Sequence, residues 1–127
     1  MQGLHLTADL SRCQCDTAWL TDAAHLLDRC TQEVLNAGLQ PVNQLAHSFP
    51  ATAQGPGGVT ATVLLAESHL CVHTWPEQMG VTVDVYVCNF GADHSAKAQR
   101  LMDALVALFA PGQVLRQALQ RGASFDA

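Results

Sequence analysis

Between Val81 and Cys88 valine takes every second position, as Val81, Val83, Val85 and Val87, with Thr82, Asp84, Tyr86 and Cys88 between them. A period of two puts the valines on one face of an extended strand and the other four residues on the opposite face. A helix would scatter the same residues around its circumference, so this segment predicts a strand with one buried face. Residues 59–66, Val-Thr-Ala-Thr-Val-Leu-Leu-Ala, and 69–74 predict two more strands just before it, with Pro76 to Gly80 turning into the last. At the front of the chain, 3–12 alternates Leu4, Leu6, Ala8 and Leu10 with His5, Thr7, Asp9 and Ser11. Residues 40–49 and 113–119 predict the remaining strands, and the tail after Arg121 reads as irregular.

Two stretches carry a helical period instead. Leu20, Ala23, Leu27, Cys30 and Val34 recur at spacings of three and four, which predicts a helix capped by Asp16 or Thr17 and stopped at Gly38 after Ala37. Ala98, Leu101, Met102, Leu105 and Phe109 predict a second helix, capped by Ser95 and ended by Pro111-Gly112. The order β-α-β-β-β-β-α-β predicts an α+β two-layer sandwich, a largely antiparallel sheet with two helices on one face.

Composition narrows what such a domain does. At 127 residues the chain is expected to be a single domain, 1–127. Its charged fraction is 13 %, about half the usual ~25 %, which points to a covered surface and so to a homo-oligomer. A net charge of −5 argues against a nucleic-acid partner. The first residues lack a basic stretch followed by an apolar run, and no window approaches ~18 consecutive apolar residues. No membrane partner and a cytoplasmic location are therefore expected. The five cysteines, an odd number with no framework spacing, are expected to be reduced thiols. There is a single lysine, Lys97, so amine chemistry elsewhere in the chain would need a different electrophile.

Polar residues crowd one region, Glu67-Ser68-His69, Cys71, His73-Thr74-Trp75-Pro76-Glu77 and Cys88. Each has an ordinary reading. Ser68 can end a strand, His73 can be a satisfied turn histidine, Cys88 can act as a small hydrophobe and Glu77 can be a solvated turn residue. A second reading takes His69, Cys71 and His73 on one strand face with Cys88 from a neighbour as a tetrahedral Zn²⁺ set, in a non-enzymatic α+β binding module.

Ala66-Glu67-Ser68-His69-Leu70-Cys71-Val72-His73-Thr74-Trp75-Pro76-Glu77, followed by Val83-Asp84-Val85-Tyr86-Val87-Cys88, resembles the prokaryotic S-adenosylmethionine decarboxylase proenzyme family. The likeness runs back through Gly58-Val59-Thr60 to His5-Leu6. It implies self-cleavage between Glu67 and Ser68, giving chains 1–67 and 68–127, and conversion of Ser68 into a pyruvoyl group. That group forms the Schiff base with the substrate's amine and takes up the electrons left by CO₂. The resemblance further implies that His73 is the proton acceptor in processing and Cys88 the proton donor in catalysis. It gives Glu77 the ribose hydroxyls, Phe49 the adenine ring, and Thr60 a hydroxyl that supports processing. No metal is implied. The reaction would yield decarboxylated S-adenosylmethionine, the aminopropyl donor for spermidine. Family members that decarboxylate L-ornithine or L-arginine through the same group form the alternative reading.

Ser68 and His73 are five residues apart, an odd separation that puts them on opposite faces of a regular strand. Thr60 lies eight residues before Ser68, about 26 Å along extended chain. The expectation is a homodimer with shared active sites, Ser68 and Cys88 from one protomer and His73, Thr60 and Glu77 from the other. The link from Pro50 to Gly57 is several residues longer than the family's usual short connection.

Overall fold

The computed structural model describes residues 2–122. The elements run β1 (Gly3–Cys13), α1 (Ala18–Thr21), α2 (Ala23–Asn36), β2 (Pro41–Ser48), β3 (Val59–Leu65), β4 (Ser68–Trp75), β5 (Gly80–Cys88), α3 (Ser95–Phe109) and β6 (Pro111–Arg121). The strands form one six-stranded sheet in the order β2-β3-β4-β5-β1-β6, with every neighbour antiparallel. The expected α+β architecture is the observed one.

The valine alternation behaves as the period demands. Val81, Val83, Val85 and Val87 are at most 2 % exposed. They share a face with Leu6, Ala8, Leu70, Val72, Ala61 and Val63, and all of these are buried. Against that face α2 lies over β2 and β3, and α3 lies over β1 and β5. The helices supply Leu26, Cys30, Val34, Leu101, Met102, Leu105 and Phe109, none of them exposed. Each such side chain contributes roughly 1.5–3 kcal/mol by leaving water.

Three local expectations are corrected. The predicted long first helix breaks at Asp22, whose extended backbone (φ −101°, ψ 102°) starts α2 afresh. Its carboxylate accepts from the His25 N–H at 3.1 Å, which an aspartate at a helix start does well. Asp16 and Thr17 border only the short α1, where the Asp16 carboxylate accepts from the Ala18 N–H at 3.0 Å and Thr17 makes no side-chain cap bond. Ser95 is the first helical residue of α3 and not its cap; that position is held by His94. The Ser95 N–H is met by the Asp93 carboxylate at 2.9 Å, which holds that carboxyl below the usual range. Gly38 does end α2. At φ +87° it lets its own N–H and that of Leu39 bond back to the carbonyls of Leu35 and Val34. The last strand is longer than predicted and pairs with β1 from Cys13–Pro111 to Gly3–Arg121. Residues 123–127, within the stretch after Arg121 expected to be irregular, lie outside the described residues.

Among the described residues, no helix lies on the second face of the sheet. On it stand His5, Thr62, His69, Cys71, His73, Asp84 and Tyr86, all half-buried. Register puts Leu45 opposite Thr62, Leu115 opposite Asp9 and Leu119 opposite His5, so these leucines share that face at its two edges, each more than half exposed. Among the described residues no helix is long and apolar enough to cross a membrane.

Candidate active site

Strand β4 carries the chemistry, and it does so at its two ends. At its start, Ala66-Glu67 make the two-residue turn from β3, closed by the pair Leu65–Ser68. Ser68 has φ +152°, a conformation that a residue with a side chain takes at a cost of order 1–3 kcal/mol. The turn is clamped on both sides. The Glu67 carbonyl accepts from the Cys88 N–H at 2.7 Å, and the Glu67 carboxylate accepts from the Gln40 N–H at 3.1 Å. Ala66 N–H in turn donates to the Gln40 carbonyl at 2.9 Å. Glu67, Ser68 and Cys88 therefore lie together, with Ser68 in register with Val87 on β5.

At the other end Thr60 pairs with His73, and Thr60 Oγ1 lies 3.0 Å from His73 Nδ1. These two open onto a cleft of about 350 Å³ that Phe49, Trp75 and Glu77 also line. Its far wall is the long Pro50–Gly57 link, including Gln54. The link is drawn close to β4 because Gly58 has no side chain; a Cβ there would sit 2.1 Å from the Thr74 carbonyl oxygen. That wall went unread in the sequence, where the glycines and prolines signal only turns. The cleft is at the small end of the range that holds drug-sized ligands, ~300–1,000 Å³.

Five residues separate the two ends, about 17 Å along an extended strand. Ser68 begins the alternation that continues through buried Leu70 and Val72, whereas His73 shares the open face with His69 and Cys71. Within one chain Ser68 and His73 are not brought together, as their odd spacing predicts.

The tetrahedral quartet suggested by sequence does not assemble. His69 Nε2 is 3.0 Å from Asp84 Oδ1, Cys71 Sγ is 3.6 Å from Thr62 Oγ1, and His73 is engaged by Thr60. Burial pushes the Cys71 thiol up, with the Thr62 hydrogen bond acting against it. The one group of three such side chains that does converge among the described residues is His5, His69 and Asp84, whose donor atoms lie within 4.8 Å of one another. Asp84 was not singled out from the sequence as a site residue. Only the register of β1, β4 and β5 reveals it, with Tyr86 opposite both His5 and His69 and Asp84 diagonal to each.

Residues 4–122 match the family model described as S-adenosylmethionine decarboxylase. The S-adenosylmethionine decarboxylase proenzyme of Aquifex aeolicus (strain VF5) is 36 % identical over 121 residues, covering 94 % of this chain and 81 % of that one. The proenzyme of Parasynechococcus marenigrum (strain WH8102) is 40 % identical over 99 residues, 78 % of this chain and 70 % of that one. The crystal structure of the adenosylmethionine decarboxylase from Aquifex aeolicus superimposes with a TM-score of 0.78 at 35 % identity, covering 94 % of this chain and 90 % of that chain.

Proposed function

The chain belongs to the S-adenosylmethionine decarboxylase family and carries that activity as a proenzyme, and from that premise we propose that its electrophile is a pyruvoyl group made from its own Ser68. The observation that carries the proposal is the Glu67–Ser68 peptide, a strained residue whose preceding carbonyl is already polarised by the Cys88 N–H at 2.7 Å. Ser68 Oγ attacks the Glu67 carbonyl carbon, and the charge that develops on the oxygen meets a fixed donor at hydrogen-bond distance. The C–N bond to Ser68 breaks as the hydroxyl proton passes to the Ser68 nitrogen, leaving Glu67 as an ester on Oγ and a free amine. His73 removes the Ser68 α-hydrogen, and β-elimination expels the Glu67 carboxylate with chain 1–67. Water then replaces the freed nitrogen as ammonia, leaving the pyruvoyl end of chain 68–127.

The group so formed would supply a ketone able to condense with an α-amine and an electron sink for the pair released with CO₂. The residues of the chain divide the remaining work. Glu77 and Phe49 hold the ribose hydroxyls and the adenine ring in the cleft, and the Cys88 thiol returns a proton to the substrate carbon.

The site is shared across a homodimer in this reading. The ~17 Å between the ends of β4 supports it, because one chain presents Glu67, Ser68 and Cys88 at one end and Thr60, His73 and Glu77 at the other. The helix-free sheet face, with Leu45, Leu64, Leu115 and Leu119 exposed, is the surface for the second copy. The cleft with Glu77 and Phe49 favours the nucleoside substrate over L-ornithine or L-arginine, which have no ribose or adenine. The product would serve as an aminopropyl donor for spermidine.

Two measurements test this. The mass of the purified protein should resolve into chains ending at Glu67 and beginning at a blocked residue 68. Carboxyl-labelled S-adenosylmethionine, ornithine and arginine, assayed in parallel, should release CO₂ from the first. One intact chain would remove the pyruvoyl mechanism, and release from the amino acids alone would reassign the substrate.

A further inference from the structure

On the open sheet face, Asp84 Oδ1 takes two imidazoles on a single oxygen, His69 Nε2 at 3.0 Å and His5 Nε2 at 3.1 Å. Arg121 completes a chain of contacts, its guanidinium 3.0 Å from His5 Nδ1. Tyr86 packs beside both imidazoles, with ring centroids 5.3 Å from His5 and 5.8 Å from His69, and Arg121 lies 5.3 Å from the same ring. Gly3 leaves room for this ring, since a Cβ there would stand 2.9 Å from it. Four polar side chains from four strands are thus locked together at a place where no helix needs them.

Three donors this close could hold a divalent ion, but Arg121 decides otherwise. A guanidinium can only donate, so His5 Nδ1 accepts and the ring proton sits on Nε2. That nitrogen then donates to Asp84 and has no lone pair for a metal. The arrangement is a hydrogen-bond chain, Arg121 to His5 to Asp84, with His69 donating to the same carboxylate.

The location gives the chain a purpose. His69 directly follows Ser68, so its imidazole is the first side chain beyond the strained peptide. On the reading proposed above, cleavage severs residue 68 from the Ala66-Glu67 turn that clamps it from upstream, and His69 becomes the first intact residue of the new chain. Its anchor draws on both pieces, with Asp84 and Arg121 from 68–127 and His5 from 1–67. We infer that Asp84 is a positioning residue for residue 68, acting through His69, before and after cleavage. This rests on Ser68 being the processed residue.

The test is a double-mutant cycle on processing and on the mature enzyme. Conversion rate, and kcat and KM per mole of pyruvoyl formed, are measured for Asp84→Ala, His69→Ala and the double variant. Misplacing a reacting group by about 1 Å costs up to about 10²-fold, so a partly loosened residue 68 should convert and turn over about tenfold more slowly. KM should stay within about twofold. The double variant should be no slower than His69→Ala alone, which a merely structural role for Asp84 would not produce. Asp84→Asn keeps an acceptor and should recover part of both rates; it replaces Asp84→Ala in the cycle if the alanine variant does not fold. Wild-type rates in Asp84→Ala would overturn the inference, as would multiplying effects in the double variant. So would one divalent ion per wild-type chain that is lost in Asp84→Ala. An uncleaved wild type would instead strike at the processing mechanism itself.

Discussion

Cys88 meets Glu67 through its backbone: the Cys88 N–H donates to the Glu67 carbonyl at 2.7 Å, and the thiol is a separate group on the same residue. The two proposed roles of Cys88 can therefore be pulled apart. Cys88→Ala keeps the N–H and loses the thiol, so the chain should still cleave. Its decarboxylation should fall by about 10² or more, the usual worth of a positioned proton donor. Gel separation of the two chains reads the first and labelled CO₂ the second. Full-rate turnover would remove the proton-donor role.

Ser68→Ala leaves no hydroxyl to attack and should remain one chain of 127 residues. His73→Ala should convert slowly and stall at the ester, which hydroxylamine cleaves. Because the two residues sit at opposite ends of β4, the shared-site reading predicts rescue on mixing. A dimer of one Ser68→Ala and one His73→Ala protomer pairs an intact Ser68 with an intact His73 at one of its sites. Co-expression with distinguishable tags should yield cleavage of the His73→Ala chain only. No cleavage in isolated heterodimers would place each site within a single protomer.

How much of this is legible in the chain depends on the range of the interaction. The valines from 81 to 87 and the leucines from 4 to 10 fix which sheet face is buried, because a period of two is a local property. The break at Asp22 is not legible, since Leu20, Ala23 and Leu27 carry the apolar stripe straight across it. The length of β6 is hidden for a related reason. It is an edge strand with Val114, Leu115 and Leu119 exposed, so no buried face writes an alternation into it. Ser68, His73 and Cys88 stand out as part of a recognisable run of residues. His5 and Asp84 are 79 residues apart, and only strand register brings them to one carboxylate.

Thr74 lies under the site and is buried. Its hydroxyl donates to the Leu20 carbonyl at 2.7 Å and accepts from the Val59 N–H at 2.8 Å, tying α1 and β3 to β4. Thr74→Val preserves the shape and strands both backbone groups, each worth about 1–3 kcal/mol when buried without a partner. Urea denaturation should show a loss of about 2–4 kcal/mol, with Thr74→Ser recovering most of it. A change under about 0.5 kcal/mol would mean that the two groups find other partners.

Alkaline stability follows from two buried thiols. Burial pushes Cys30 up to about 12 and Cys13 to about 11, against an ordinary value of 9.0. Above pH 9 the unfolded chain loses these protons while the folded chain keeps them, so the unfolded state binds fewer protons and stability falls as pH rises. The fall should run from about pH 9 towards 11–12. Cys30→Ala should flatten that slope, measured as urea midpoints at successive pH values. An unchanged slope would assign the alkaline loss to other groups.

The Thr60–His73 contact sets how His73 can act as a base. An imidazole that takes a proton through Nε2 must carry its own proton on Nδ1, and the Thr60 oxygen 3.0 Å away is placed to accept it. Thr60 then holds the ring in the required tautomer and orientation without touching the scissile peptide of its own chain, eight residues away. Thr60→Val removes the acceptor and keeps the volume, and should slow the elimination step by about tenfold, at the low end of what orienting a general base contributes. The attack of Ser68 precedes that step, so ester should accumulate, and hydroxylamine should release it in proportion. Thr60→Ser keeps the oxygen and should process at close to the wild-type rate. Equal rates for the valine and serine variants would mean that His73 is oriented by its packing near Trp75, whose ring lies 6.2 Å away, and not by the hydroxyl.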